Sequence, residues 1–178
     1  RDLDWLRRHT PVEARVAIVD VTGAEAVLAV MGPAARDLLQ PLTTADLSAA
    51  AFPFGHAQEI DIGYVPVRAQ RTSYVGELGF ELYAPSEMAH GVFDRLRAAG
   101  ADHGLRLAGY HVFDSCRIEK GFRHFGHDIG PDDTPLEAGL GFAVKFDKPA
   151  SKFGPFIGRE ALARQRDAGP LTKRLVQF

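Results

Sequence analysis

The stretch from Ala57 to Tyr83 constrains the fold most. Ala57–Ile62 and Tyr64–Arg71 are strand-like runs separated by the single residue Gly63, and Gly79–Tyr83 is a third run shortly after. Parallel neighbours need a crossover of about a dozen residues or more, so strands this close in sequence pair antiparallel. Earlier, Arg15–Val21 and Ala26–Met31 flank Thr22-Gly23-Ala24-Glu25, which predicts a strand, a turn and a second strand. Gly32-Pro33 places proline in the first turn of a helix whose apolar face is Ala34, Ala35, Leu38 and Leu39, ending before Pro41. Pro85 and Ser86 open another, with Met88, Val92, Leu96 and Ala99 on one stripe and Gly100 as its stop. Asp2–His9 reads as the tail of a helix, Tyr110 to Lys120 as a helix with Phe113 and Cys116 on one face, and Glu160–Arg166 as a last helix ended by Gly169-Pro170. This irregular mixture favours an α+β fold, an antiparallel sheet with flanking helices, over a doubly wound parallel sheet.

Composition narrows the function classes. The 178 residues are 46% hydrophobic and 25% charged, enough for a sizeable core. Net charge is −2 with Lys and Arg dispersed, so neither nucleic acid nor an anionic membrane is an expected partner. The longest apolar runs, Ala24–Met31 and Ser48–Phe54, are too short for a membrane span. A single cysteine excludes an internal disulfide and fits a reducing compartment, the cytoplasm or, in a eukaryote, the mitochondrial matrix. A soluble piece of a longer protein is expected: the chain begins at Arg1, and Arg174–Phe178 has the composition of a strand just beginning.

Most catalytic signatures are missing. Gly139-Leu140-Gly141 lacks the third glycine of a dinucleotide fingerprint, and there is no Walker loop, zincin pair, nucleophile elbow or Cys-x-x-Cys. His124 and His127 are three apart, with His111 and Asp128 as further candidates, but no third metal ligand has sensible spacing, and no metal site is expected. Cys116 reads as a small hydrophobe on a helix face. The most informative stretch is Arg71 to Tyr83, where Gly76 and Gly79 suggest a tight turn bringing Tyr74 and Glu81 together. A carboxylate beside an aromatic ring suits a flat heterocycle: a 2-amino-4-oxo-pyrimidine edge offers two parallel N–H donors that a carboxylate accepts in bidentate fashion. The same residues also fit a plain hairpin with Glu and Tyr on its solvent face.

Four blocks carry a resemblance. They are Tyr74-x-Gly76-Glu77-x-Gly79-x-Glu81, Asp114-Ser115-x-Arg117-Ile118-Glu119-Lys120-Gly121-Phe122-Arg123-His124, Thr134-Pro135-Leu136-Glu137-Ala138-Gly139-Leu140, and Phe156-Ile157-Gly158-Arg159-Glu160-Ala161-Leu162. Occurring in family order over essentially the whole chain, they resemble the glycine-cleavage T-protein (aminomethyltransferase) family. The Glu119-to-His124 form and Asp132-Asp133-Thr134-Pro135 look more like the tetrahydrofolate-binding region at the C-terminal end of sarcosine and dimethylglycine dehydrogenases.

The resemblance implies a domain that binds tetrahydrofolate and handles one-carbon units from N-methyl amines or glycine, giving methylenetetrahydrofolate. A folate-dependent demethylase and a non-catalytic folate-binding module are the alternatives. It implies that Tyr74 and Glu81 contact the pterin, and it leaves Glu77 between a turn-stabilising and a ligand role. Arg123 and His124, just after the Gly121 helix stop, are weaker candidates for the anionic glutamate tail of folate, with a solvated loop as the favoured alternative. It also implies no catalytic residue within this chain, since the family aspartate lies upstream. FAD would belong only to an upstream flavin domain, which with a C-terminal barrel would be this domain's partners in the longer enzyme. The expected partition is residues 1–11 as the tail of an upstream folate-binding subdomain, 12–104 as a ferredoxin-like α+β domain, 105–170 as helical and irregular structure completing the folate-binding body, and 171–178 as the start of the barrel. One departure stands out: Phe113 occupies the position before Asp114 where T-proteins usually carry arginine.

Overall fold

The computed structural model describes residues 2–151 and 154–178. They form two compact units, Val19–Phe122 and Arg1–Ile18 together with Arg123–Phe178.

The first unit is built on a four-stranded antiparallel sheet of order β1-β4-β3-β2, with β1 at Glu25–Met31, β2 at Ala57–Ile62, β3 at Val65–Gln70 and β4 at Gly79–Pro85. β2 and β3 close as a hairpin over Gly63-Tyr64, with Ile62 opposite Val65. Tyr64 therefore lies in the turn instead of starting β3, its ring under the Arg95 guanidinium at 4.7 Å. Period-two alternation puts Val30, Ile60, Ile62, Val65, Val67, Phe80, Leu82 and Ala84 on one face, where they are buried with Leu38, Leu39, Val92 and Leu96. Those last four come from helices α2 (Ala35–Leu39) and α3 (Ala89–Gly100). The expected α+β architecture is therefore present. On the other face, Glu59, Asp61, Arg68, Glu81 and Tyr83 are exposed or half-buried.

The proline and glycine punctuation acts much as the sequence suggests. α2 passes at Gln40 into a 3₁₀ turn that contains Pro41, and Ser86–Met88 is a 3₁₀ turn leading into α3. Met88, placed on the expected apolar stripe, is instead exposed in that turn. α4 follows at Tyr110–Glu119.

One expected strand does not form. Arg15–Val21 makes no ladder, and Val16, Val19 and Val21 are exposed. The carboxylate of Asp20 accepts from the Thr22 N–H at 3.0 Å and the Thr22 hydroxyl at 2.6 Å, and the Ala24 N–H donates to the Val21 carbonyl at 2.8 Å. This Asx turn bends the chain just before β1. The valines give strand propensity, but propensity without a partner edge makes no strand.

The second unit holds α1 (Asp2–His9), α5 (Arg159–Asp167) and an irregular body. Thr134 and Glu137 cap each other, the Glu137 carboxylate accepting from the Thr134 N–H at 2.9 Å and the Thr134 hydroxyl accepting from the Glu137 N–H at 3.2 Å. These bonds hold the Glu137 carboxyl below its ordinary range. Arg174–Phe178 forms no strand but is tied back where the Leu175 N–H donates to the Glu137 carbonyl at 2.9 Å. Among the described residues no helix is long and apolar enough to cross a membrane.

Candidate functional site

The Tyr-x-Gly-Glu-x-Gly-x-Glu stretch occupies the connection from β3 to β4 and the first residues of β4. It is an eight-residue loop, Arg71–Leu78, in place of the tight turn expected, and its two glycines serve different purposes. Gly76 takes a left-handed φ of +72° and lies under the Lys120 stem, which a Cβ would meet at 2.3 Å. Gly79 opens β4 where the Thr72 carbonyl oxygen approaches to 2.5 Å of a would-be Cβ. The Lys120 ammonium reaches the Glu77 carboxylate at 3.0 Å. Glu77 is thereby engaged in pinning the loop to the end of α4.

Tyr74 sits mid-loop with its ring 6.1 Å from that of Phe113, which lies 6.2 Å from Tyr110. Phe113 thus adds an aromatic surface where T-proteins usually present a guanidinium. Glu81 sits in β4 opposite Gln70 of β3 and Ala29 of β1. Its carboxylate accepts from the Tyr83 hydroxyl at 2.8 Å. That bond, with burial and the negative charge of Glu81 behind it, pushes the Tyr83 phenol above its ordinary value. The Arg68 guanidinium lies 4.8 Å over the Tyr83 ring and pairs with Glu25 at 2.6 Å, completing a polar row on the non-core face of the sheet. The sequence reading missed Tyr83. The signal was present, since residues two apart on a strand share a face.

Beside β1 lies a cavity of about 560 Å³, within the range of small-molecule sites. Ala29, the cross-strand neighbour of Glu81, lines it, as do Val75, Phe113 and Cys116. Glu81 is half-buried with one carboxylate oxygen held by Tyr83, and its cross-strand neighbour Ala29 lines the apolar cavity together with Phe113.

Arg123 and His124 belong to the other unit. Arg123 Nε donates to the Ala138 carbonyl at 2.9 Å, and its guanidinium lies over Gly139, binding the Arg123 segment to the Thr134–Gly139 turn. The His124 N–H donates to the Asp128 carboxylate at 2.7 Å, and its ring faces that of His127 at 4.6 Å. Among the described residues no three His, Cys, Asp or Glu side chains group as a metal site would require. Arg117, the buried charged residue, donates to Asp114 at 3.1 Å and to the Phe122 carbonyl at 3.1 Å, fixing the exit from α4.

The fold is that of an α+β domain shared with two solved structures. The glycine cleavage system aminomethyltransferase T from Bartonella henselae superposes with a TM-score of 0.50 at 20% identity, covering 85% of this chain and 63% of that one. The heterotetrameric sarcosine oxidase from Corynebacterium sp. U-96 gives 0.50 at 23%, over 60% of this chain and 53% of its own. The chain belongs to the GCVT N-terminal domain family, whose model matches residues 1–148. Human mitochondrial sarcosine dehydrogenase is 46% identical over 93% of this chain and 18% of its own length. The aminomethyltransferase of Caldanaerobacter subterraneus subsp. tengcongensis is 42% identical over 100% of this chain and 46% of its own, and the formaldehyde-forming 4-methylaminobutanoate oxidase of Paenarthrobacter nicotinovorans is 47% identical over 86% and 18%. The chain therefore spans between about a fifth and a half of the length of these relatives.

Proposed function

We propose that this chain is the tetrahydrofolate-binding domain of an enzyme that collects one-carbon units from N-methyl amines, of the sarcosine or dimethylglycine dehydrogenase kind. The observation that carries the reading is the Glu81 carboxylate, held on one oxygen by Tyr83 and opposite Ala29, which lines the cavity next to β1. Its similarity to dehydrogenases of N-methylated amines supports the substrate class. FAD would belong to another domain of such an enzyme, since these residues offer no glycine-rich fingerprint for it. A eukaryotic form would work in the mitochondrion, as the names of its mammalian relatives suggest.

The residues fit the folate group. Glu81 accepts the paired N–H donors of the pterin edge, and the hydroxyl of Tyr83 keeps the carboxylate turned for that contact. Tyr74, backed by Phe113, orders the flat ring. The apolar cavity wall keeps water from the bound ligand. When bound, tetrahydrofolate supplies the nitrogen that takes up a carbon at the oxidation level of formaldehyde.

The test is the fate of that carbon in the full-length protein, oxidising sarcosine or dimethylglycine with and without tetrahydrofolate. Folate is expected to lower the free formaldehyde formed per amine consumed, and Glu81→Ala to abolish this saving. A formaldehyde yield indifferent to folate in the wild-type protein would overturn the reading.

A further inference from the structure

The cavity beside β1 is apolar along most of its wall, yet two arginines line it, Arg97 from α3 and Arg106 from the segment that follows. Other arginines of this unit do not line it, Arg95 lying over the Tyr64 ring at 4.7 Å. Arg68 pairs with Glu25, Arg117 with Asp114, and Arg36 and Arg71 donate to the carbonyls of Leu47 and Phe52. Neither Arg97 nor Arg106 has a carboxylate partner among the described residues. Arg97 lies 5.9 Å over the Phe93 ring, and Arg106 donates only to the carbonyl of its neighbour Leu105, at 3.1 Å.

Both arginines are exposed, so water screens their charges, while the rest of the cavity wall is mostly apolar. A carboxylate placed between them would meet both cations, and the planar fork of arginine matches a carboxylate in bidentate fashion. The chain as a whole carries a net charge of −2, so these cations are not part of a generally basic surface. The rest of the wall, including Leu105, Leu107 and Val112, suits an aromatic or aliphatic ligand body.

We infer that Arg97 and Arg106 form a carboxylate-binding end to this cavity, which takes an amphipathic ligand with a flat apolar body and an anionic terminus. Resting on the folate reading above, this assigns the glutamyl carboxylates of the folate to Arg97 and Arg106, while the pterin lies towards Glu81. The two ends of one ligand would then be recognised by opposite charges on the same domain.

Titration of the full-length protein with two probes tests it: folinic acid, which carries the glutamyl end, and a 5-formyl-tetrahydropterin that lacks it. In the double variant Arg97→Gln/Arg106→Gln the dissociation constant for folinic acid should rise about 10- to 100-fold, while that for the truncated pterin stays within about twofold of wild type. Arg97→Lys/Arg106→Lys should recover part of the loss, because the charge remains without the fork. Unchanged folinic acid affinity in the double Gln variant, or equal losses for both probes, overturns the assignment. Glu81→Gln separates the two levels, since it should weaken both probes. If it weakens neither, or if wild-type protein binds neither, the folate reading fails and takes this assignment with it.

Discussion

Replacing Gly79 with alanine puts a Cβ 2.5 Å from the backbone carbonyl oxygen of Thr72, with the Met31 side chain at 3.1 Å and Ser73 Cβ at 3.2 Å. The backbone oxygen cannot rotate away, so relief requires the Arg71–Leu78 loop to shift from β4 by several tenths of an ångström. That shift strains the bond from the Gly32 N–H to the Leu78 carbonyl, now 2.8 Å. Overpacking against a fixed group costs about 1 to 3 kcal/mol, and backbone as the obstacle puts Gly79→Ala near the top of that range. At about 2 to 4 °C per kcal/mol for a domain of this size, the midpoint should fall by about 6 to 12 °C. Gly76→Ala adds two costs, about 1 to 2 kcal/mol for the left-handed backbone and the displacement of Lys120, whose Cγ and Cβ lie 2.3 and 2.7 Å from the would-be Cβ and are the near end of that side chain. Gly91, inside α3 with nothing within 4 Å of a would-be Cβ, is the control, and its alanine should stabilise by up to about 1 kcal/mol. Thermal and urea unfolding of the three variants measures the order. Gly79→Ala within about 0.5 kcal/mol of wild type, or no more harmful than Gly91→Ala, would refute the packing argument, since that difference is about the noise of a surface substitution.

Other consequences are open to direct measurement. Tyr83→Phe removes the hydroxyl that Glu81 accepts, and should weaken folinic acid binding about 3- to 10-fold, the worth of about one ordinary hydrogen bond. The Tyr83 phenol, raised above its ordinary value of 10.0, should keep its proton as others titrate, and the stability of its bond should be lost only as pH rises through that higher value. Ultraviolet titration of wild type against Tyr83→Phe reads this. Asp133 and Glu137 are held below their ordinary values of 3.8 and 4.5, Asp133 chiefly by Lys173 and Glu137 chiefly by the Thr134 N–H. Their stabilisation is therefore present above those values and is lost as pH falls through the lower, folded ones, so Glu137→Gln should flatten the acid limb of the stability curve. Arg117→Ala removes the guanidinium that donates to Asp114 and to the Phe122 carbonyl and should cost about 2 to 3 kcal/mol in urea unfolding.

Local signals carried much of the fold. Gly63 between two β-rich runs sufficed for the β2–β3 hairpin, and Val92 and Leu96, four apart, marked the buried stripe of α3. Arg15–Val21 misled because strand propensity is local, whereas a ladder needs a partner edge, and Asp20 diverts the chain with hydrogen bonds that a hydrophobic pattern cannot display. In the site, the motif spacing singled out Tyr74, Glu81 and the two glycines. What it could not supply was long-range company: that Lys120 lies over Gly76 and that Phe113 backs Tyr74. Arg97 and Arg106 carried no motif at all and became notable only when the fold placed both on one cavity.

Glu81 is the proposed pterin-binding carboxylate, and calorimetric titration of the full-length protein with folinic acid tests that role most directly. A charged hydrogen-bonded contact of about 1.5 to 3 kcal/mol corresponds to a loss of about 10- to 150-fold in affinity for Glu81→Ala, with the protein still folded. Wild-type affinity in a folded Glu81→Ala variant would contradict it.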